Sequence, residues 1–539
     1  MKRNVLLLVL AGLVTASTWT RAAITDPVRI DSGQISGTTQ EGVRVYKGVP
    51  FAAPPIGDLR WRAPQPVATW TGVRKADEYG NVCVQSKGVG RVNVATDLPD
   101  SPKISEDCLY LNVWTAANNG SDKRPVMVWL YGGAYSEGSG SSPHNEGFTL
   151  AKKGVVLVSF NYRLGPFGFF SHPELTAESG HEASGNQALL DTIATLRWVK
   201  TNIAAFGGDP NNVTIFGESA GAAMAAGLVG SPVAKGLFNR AISESGAWMG
   251  LSMARMRSRA DAERPPAPRG GGPGGAAPAA PAAPKSLAEL RALSTEEVSR
   301  TVRGAGMIAD GWIIPEDESI TFAEGRQNAV DVLVGSNKDE GAFNTRPVAA
   351  QAWQQRVRGQ WGDLADEYLK LYPGSTDAEA TNSSLRDFAD NMHWHMRLYA
   401  DAMAKKGQKA WVYYFTHEPP AGAGKPNQHA THTTEIPYVF NTLSRPRVYP
   451  DNSSIELTSK AKFDTELADQ VSSYWVNFAK TGDPNGKGLP VWPAFKDKAS
   501  SRAMLLGRAA PYPSAAQMAI YDKLYAKQMA TIRSAPATR

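Results

Sequence analysis

The chain is predicted to be an α/β protein, a mostly parallel central sheet flanked by helices with a helical cap region, and three observations predict it. Residues 126–130 and 155–160 are short, nearly all-apolar, β-rich runs, the pattern of strands covered on both faces. Residues 187–206 place Leu189, Leu190, Ile193, Leu196, Trp198, Val199 and Ile203 near helical period and stop at Gly207-Gly208-Asp209-Pro210. The β-branched run Val213-Thr214-Ile215-Phe216 then completes a strand–helix–strand crossover, the unit from which parallel sheets are built. At 539 residues the chain is long for one domain, yet large α/β proteins carry a single sheet this size with insertions on its loops, so residues 23–539 read as one domain.

Taken in chain order, Lys2 and Arg3 precede an apolar stretch at 5–14 and then Thr20-Arg21-Ala22, with small residues at the cleavage positions. Residues 1–22 therefore read as a secretory signal peptide cut near Ala22, because ten apolar residues are too few to span a bilayer. No later segment reaches spanning length, and a periplasmic or secreted protein is expected. Loss of Lys2, Arg3 and Arg21 would lower the net charge from +6 to +3, a mild excess that speaks against nucleic-acid binding. The two cysteines, Cys83 and Cys108, read as one disulfide in an exported protein. No histidine or Cys-x-x-Cys spacing accompanies them, so neither reads as a nucleophile.

Directly after the run at 126–130 comes Tyr131-Gly132-Gly133-Ala134, a glycine loop of the kind that offers backbone N–H groups to a developing oxyanion. Gly217-Glu218-Ser219-Ala220-Gly221 follows the β-branched run and leads into Ala222-Ala223-Met224-Ala225-Ala226. This is the pattern of a nucleophile elbow: a serine on a tight strand-to-helix turn, with glycines two positions either side where a side chain would collide. Further strands are expected at 241–243, 330–334 and 411–415, with helices at 385–404 and 514–532. Residues 264–285 are proline, glycine and alanine with almost nothing to bury, and read as an exposed excursion in the cap region.

A serine hydroxyl needs a histidine to take its proton and a carboxylate to orient that histidine. In elbow hydrolases the acid precedes the histidine, both after the serine. The strand pattern at 330–334 runs out into Gly335-Ser336-Asn337-Lys338-Asp339-Glu340-Gly341, where Asp339 and Glu340 both qualify by position. Five histidines follow Ser219: His393 and His395 lie in a helical pattern, His417 ends a strand, and His429 and His432 sit in a polar loop. Loop placement favours the last two, and spacing leaves both pairs of candidates open.

Longer motifs carry a resemblance. Glu106-Asp107-Cys108-Leu109-Tyr110-Leu111-Asn112-Val113 and Phe216-Gly217-Glu218-Ser219-Ala220-Gly221 resemble the two signatures of type-B carboxylesterases, which include cholinesterases and bacterial para-nitrobenzyl and fumonisin-type esterases. Gly48 to Trp61, Asn161-Tyr162-Arg163-Leu164-Gly165 and Asn477 to Asn485 with Trp492-Pro493 are similar to the same family, across residues 27–520. The resemblance implies an α/β-hydrolase fold and a secreted serine carboxylesterase acting on small-molecule esters through an acyl-enzyme. It implies Ser219, Glu340 and His432 as the triad and Gly133, Ala134 and Ala220 as the oxyanion hole. It further implies Glu218, Ser245 and Glu435 as supporting groups, and a family disulfide at Cys83 and Cys108. Departures are Glu244 where the family often has glutamine, Tyr131 where many members have histidine, and the extra methyl of Ala134.

No cofactor or metal is implied, and there is no His-Glu-x-x-His helix. Two rival readings remain. One is a catalytically silent binding protein resembling neuroligins, which usually lack a triad member. The other is an esterase for anionic polycarboxylate esters, resembling the fumonisin type, for which Arg255, Arg257, Arg259, Arg264 and Arg269 would suit the charge. Nothing in the sequence sets an oligomeric state.

Overall fold

The computed structural model describes residues 24, 26–85, 103–247, 256–263, 285–343, 346–420, 427, 429–443, 447–448, 454–455 and 461–534. The expected signal peptide at 1–22, the proline-rich excursion except for Lys285, and Arg255, Arg264 and Arg269 lie outside the described residues.

Ten strands form the central sheet: Thr38–Gln40 (β1), Val43–Pro50 (β2), Tyr110–Thr115 (β3), Arg124–Leu130 (β4), Val156–Phe160 (β5), Gly208–Glu218 (β6), Arg240–Glu244 (β7), Asp331–Asn337 (β8), Ala410–Phe415 (β9) and Met504–Leu506 (β10). Their spatial order is β10-β9-β8-β7-β6-β4-β5-β3-β2-β1. Every neighbouring pair from β10 to β5 is parallel, and β3, β2 and β1 close one edge antiparallel. All five residues of β5 and all six of β9 are buried, which is why these strands lack polar alternation in the sequence.

The helices that accompany the sheet include Gln187–Asn202 (α1), Ala220–Gly230 (α2), Asp377–Lys405 (α3), Lys462–Thr481 (α4) and Ala515–Ser534 (α5). The helix expected at 187–206 ends earlier, at Asn202, and tightens into a 3-10 turn, Ile203–Phe206, closed by Gly207 at φ 78°. α3 begins at Asp377, well before 385, because Thr376 caps it by accepting from the Glu379 N–H at 3.2 Å. Its first turns are polar and partly exposed, so the apolar periodicity starts late. Aromatic side chains fill the space between layers; Trp129, Phe216 and Phe440 meet at centroid distances of 4.8–5.6 Å. Each such ring removes about 150–250 Å² from water, worth about 4–6 kcal/mol before entropy, against at most about 1 kcal/mol for an exposed ion pair.

The cap carries its own small core, in which Leu287, Leu290, Val298 and Val302 pack with Trp61, Phe167 and Leu175. Two short helices, Leu287–Arg291 and Thr295–Thr301, start on capping boxes at Ser286/Glu289 and Ser294/Glu297. Arg60 ties them to the body: it grips Glu106 through two bonds of 2.6 and 2.8 Å and donates to the carbonyls of Arg291 and Leu293. Cys83 and Cys108 are bonded to each other. Among the described residues no helix is long and apolar enough to cross a membrane.

Candidate active site

Ser219 stands between the last residue of β6 and the first of α2, with φ 55° and ψ −122°. A non-glycine residue in this region costs about 1–3 kcal/mol and persists only where its surroundings dictate it. Here the Ser219 N–H donates to the Glu244 carbonyl at 2.8 Å and its own carbonyl accepts from Ala223 at 3.0 Å. The flanking glycines answer to close approach: a Cβ at Gly217 would lie 2.6 Å from the Leu130 carbonyl oxygen, and one at Gly221 only 2.0 Å from it.

Across from the elbow, a Cβ on Gly132 would meet the Ser219 Cβ at 3.0 Å and Glu218 Oε2 at 2.7 Å, so the glycine loop lies against the serine. Gly133, Ala134 and Tyr135 all have positive φ, at 105°, 50° and 62°. The Gly133 carbonyl accepts from Ser136 and Glu137 and that of Tyr135 from Gly165, while among the described residues no acceptor meets the Gly133 or Ala134 amide. Ala220, the first residue of α2, offers one of the N–H groups a helix start leaves without an intrahelical partner. Tyr131 fixes the base of the loop: its ring stacks on Tyr162 at 4.2 Å, and the two exchange hydroxyl-to-carbonyl bonds of 3.1 and 2.5 Å.

Glu340, fully buried in the turn after β8, brings Oε2 to 2.6 Å from His432 Nδ1, and its Oε1 accepts from the Asn337 N–H at 2.8 Å. The other ring nitrogen, Nε2, lies 3.2 Å from Glu218 Oε1, one residue from Ser219, and the ring is 18% exposed. Burial pushes the His432 pKa down, but Glu218 and Glu340 outweigh it and hold it up at about 10. Asp339 faces elsewhere: it exchanges bonds with the Ala430 backbone at 2.9 and 3.1 Å, fastening the loop that carries His432. His429 is half exposed and 3.8 Å from Glu418. His393 and His395 are buried in α3, and His417 pairs with Asp464. The structure thus gathers Ser219, Glu340, His432, Gly133, Ala134, Ala220 and Glu218, and leaves the other candidate acid and the other histidines aside.

Behind this cluster Ser245 donates to Glu435 Oε1 at 3.4 Å. Asn337, to which sequence reasoning gave no role, is the connector: its side chain bonds Glu435 Oε2 and the Thr431 carbonyl while its backbone bonds Glu340. The signal was the peptide Asn337-Lys338-Asp339-Glu340-Gly341, read there only for its acids. Burial pushes Glu435 up to about 7 and Glu244 well above the carboxylate range, the latter against a 2.8 Å bond from Trp475 Nε1. Among the described residues Asp339, Glu418 and His429 bring three possible metal-donor atoms within 4.8 Å; Lys338 Nζ, 3.2 Å from Asp339 and 2.5 Å from Glu418, already supplies a countercharge. Of the arginine cluster, Arg257 donates to the Asp261 carbonyl at 2.8 Å and Arg259 to that of Glu182.

A largely parallel sheet that presents a serine on a strained strand-to-helix turn is the architecture of α/β-hydrolases. The comparisons narrow the class. The carboxylesterase family matches residues 25–518, and the chain belongs to that family; it is a carboxylic ester hydrolase. It is 38% identical over 483 residues to the fumonisin B1 esterase of Sphingopyxis macrogoltabida, covering 88% of this chain and 86% of that one. It is 35% identical to the para-nitrobenzyl esterase of Bacillus subtilis (strain 168), covering 88% and 93%. A solved carboxylesterase of Geobacillus stearothermophilus superimposes with a TM-score of 0.72 at 31% identity, covering 92% of this chain and 99% of its own. The fold and the activity class, ester hydrolysis, agree with the resemblance read in the sequence motifs.

Proposed function

We propose that the protein cleaves carboxylic esters through an acyl-enzyme on Ser219. The observation that carries this reading is the His432 ring, held at Nδ1 by Glu340 at 2.6 Å with Nε2 turned to the elbow. His432 Nε2 accepts the Ser219 proton as Oγ attacks the ester carbonyl; the amides of Gly133, Ala134 and Ala220 take the oxyanion. The alcohol leaves with that proton, and water, deprotonated by the same nitrogen, releases the acid. Glu218, Ser245 and Glu435, with Asn337, set the charge and position of the ring. Purified protein should release nitrophenol from short p-nitrophenyl esters, and Ser219→Ala should lower kcat by about 10³-fold or more. Equal rates in both proteins would reject the mechanism.

The similarity to a fumonisin esterase favours a second reading, esters of anionic polycarboxylic acids. Comparing neutral with carboxylated esters tests it, and a preference for the neutral ones counts against it. A silent, neuroligin-like binding role is disfavoured by the presence of Ser219 and by the intact His432–Glu340 pair. Export of the protein is supported by the leader pattern at 1–22 and by the Cys83–Cys108 bond, which suits an oxidising compartment. A signal-less cytoplasmic distribution on fractionation would contradict it.

A further inference from the structure

The glycine loop beside Ser219 carries a carboxyl group that the mechanism does not use, that of Glu137. Its N–H donates to the Gly133 carbonyl at 3.1 Å, closing a tight turn. A Cβ on Gly133 would lie 2.8 Å from Glu137 Cγ, so the side chain is held against the glycine to whose amide the mechanism proposed above gives the oxyanion. A Cβ on Gly132, the preceding residue, would lie 3.0 Å from Ser219 Cβ. With consecutive Cα atoms 3.8 Å apart, these two contacts hold Glu137 Cγ within about 13 Å of the nucleophile's Cβ.

Of the buried glutamates around the site, Glu340 has His432, Glu244 has Trp475 and Glu435 has Asn337, while Glu318, whose charge acts on Tyr135 of the same loop, keeps one oxygen without a hydrogen bond among the described residues. Glu137 is half-buried, and its carboxyl makes no hydrogen bond or ion pair among the described residues. Burial alone pushes it up to about 7, so the group carries charge at mildly alkaline pH with no countercharge paired to it among the described residues. Arg163, two residues from the glycine that bonds Tyr135, is already claimed by Asp191 at 2.6 Å. A partly desolvated carboxylate without a partner is unfavourable in itself, and its field reaches whatever binds alongside the loop.

We propose that Glu137 is a charge-selecting residue of the active site, favouring esters that carry an ammonium group near the scissile carbonyl over neutral ones and disfavouring those that carry a carboxylate. The assignment rests on the serine-esterase reading above, narrows its substrate class and opposes the polycarboxylate alternative. Coulomb's law at about 10 Å, with an effective dielectric between that of a protein surface and water, gives about a fivefold effect on kcat/KM for each unit of substrate charge.

The experiment compares p-nitrophenyl esters of three acids of equal chain length, ending in a methyl, a trimethylammonium or a carboxylate group, at about pH 8. Wild-type enzyme should rank them ammonium, methyl, carboxylate. Glu137→Gln should lower the ammonium-to-carboxylate ratio by about tenfold or more and leave the methyl ester within about twofold; Glu137→Lys should move the ratio further in the same direction. Added salt should erode the wild-type ratio and barely change that of Glu137→Gln. A ratio unchanged by Glu137→Gln overturns the proposal, as does an equal fall on all three esters, which would make the residue structural. If the wild-type enzyme shows no Ser219-dependent turnover of the methyl ester, the esterase reading itself has failed.

Discussion

His432 sits between two carboxylates, and that position sets the pH at which it can act. A base must be unprotonated to accept the Ser219 proton, whereas Glu218 and Glu340 hold the proton on at up to about pH 10. The activity of the resting enzyme should therefore climb through the alkaline range. Glu218→Gln removes one of the charges that favour the imidazolium, so the rising limb of kcat/KM against pH should move to lower pH; a limb that stays in place would show that Glu218 does not act on the ring. Asn337→Ala takes the side-chain donor from Glu435 Oε2 and from the Thr431 carbonyl, while the backbone N–H that bonds Glu340 stays. It should cost about 1–3 kcal/mol in unfolding free energy by urea titration and lower kcat as well, since Glu435 and the loop that carries His432 lose a common anchor. At this scale the sequence was least explicit. Asp339 and Glu340 are adjacent, as are the two loop histidines within one turn, and chain order cannot say which of each pair points inward. The fold decides: Asp339 bonds the backbone of the histidine loop, and Glu340 bonds the ring.

At the level of elements, the elbow depends on how closely α2 approaches β4. Gly221→Ala would place a methyl 2.0 Å from the Leu130 carbonyl oxygen, and the helix would have to move away from the sheet. That variant should be strongly destabilised and inactive. Gly359→Ala, in the helix Ala350–Trp361 with open space around it, should instead gain about 0.5–1 kcal/mol, a contrast thermal denaturation can read. Strands were legible because a strand buried on both faces must be apolar along its length; β4, β5, β8 and β9 all fall where such runs lie. α4 went unpredicted, and the start of α3 was placed too late. Their buried faces include Ser383, Asp390, Asp464 and Ser472, polar residues satisfied inside the fold, which blur the apolar period.

Across the whole molecule, the cap is joined to the body through a buried arginine. Arg60 and Glu106 are each under a tenth exposed, and the guanidinium also ties the carbonyls that end the helix Leu287–Arg291. Arg60→Ala leaves Glu106 buried without its cation, a change of about 3–5 kcal/mol, and limited proteolysis should cut first near residues 285–301. The fold class was readable from motif order, since few architectures alternate strands and helices over this span. The cap anchor was not, because residues 60, 106 and 291 share no local pattern.

In the proposed reaction Ser219 Oγ is the atom that bonds the acyl group. Rapid quenching of a reaction with a p-nitrophenyl ester, followed by peptide mass mapping, reads this directly. An acyl mass increment on the peptide that contains Ser219, accumulating with the nitrophenol burst and absent from Ser219→Ala, is the predicted result. Undiminished nitrophenol release by Ser219→Ala, or the increment on another residue, would contradict it.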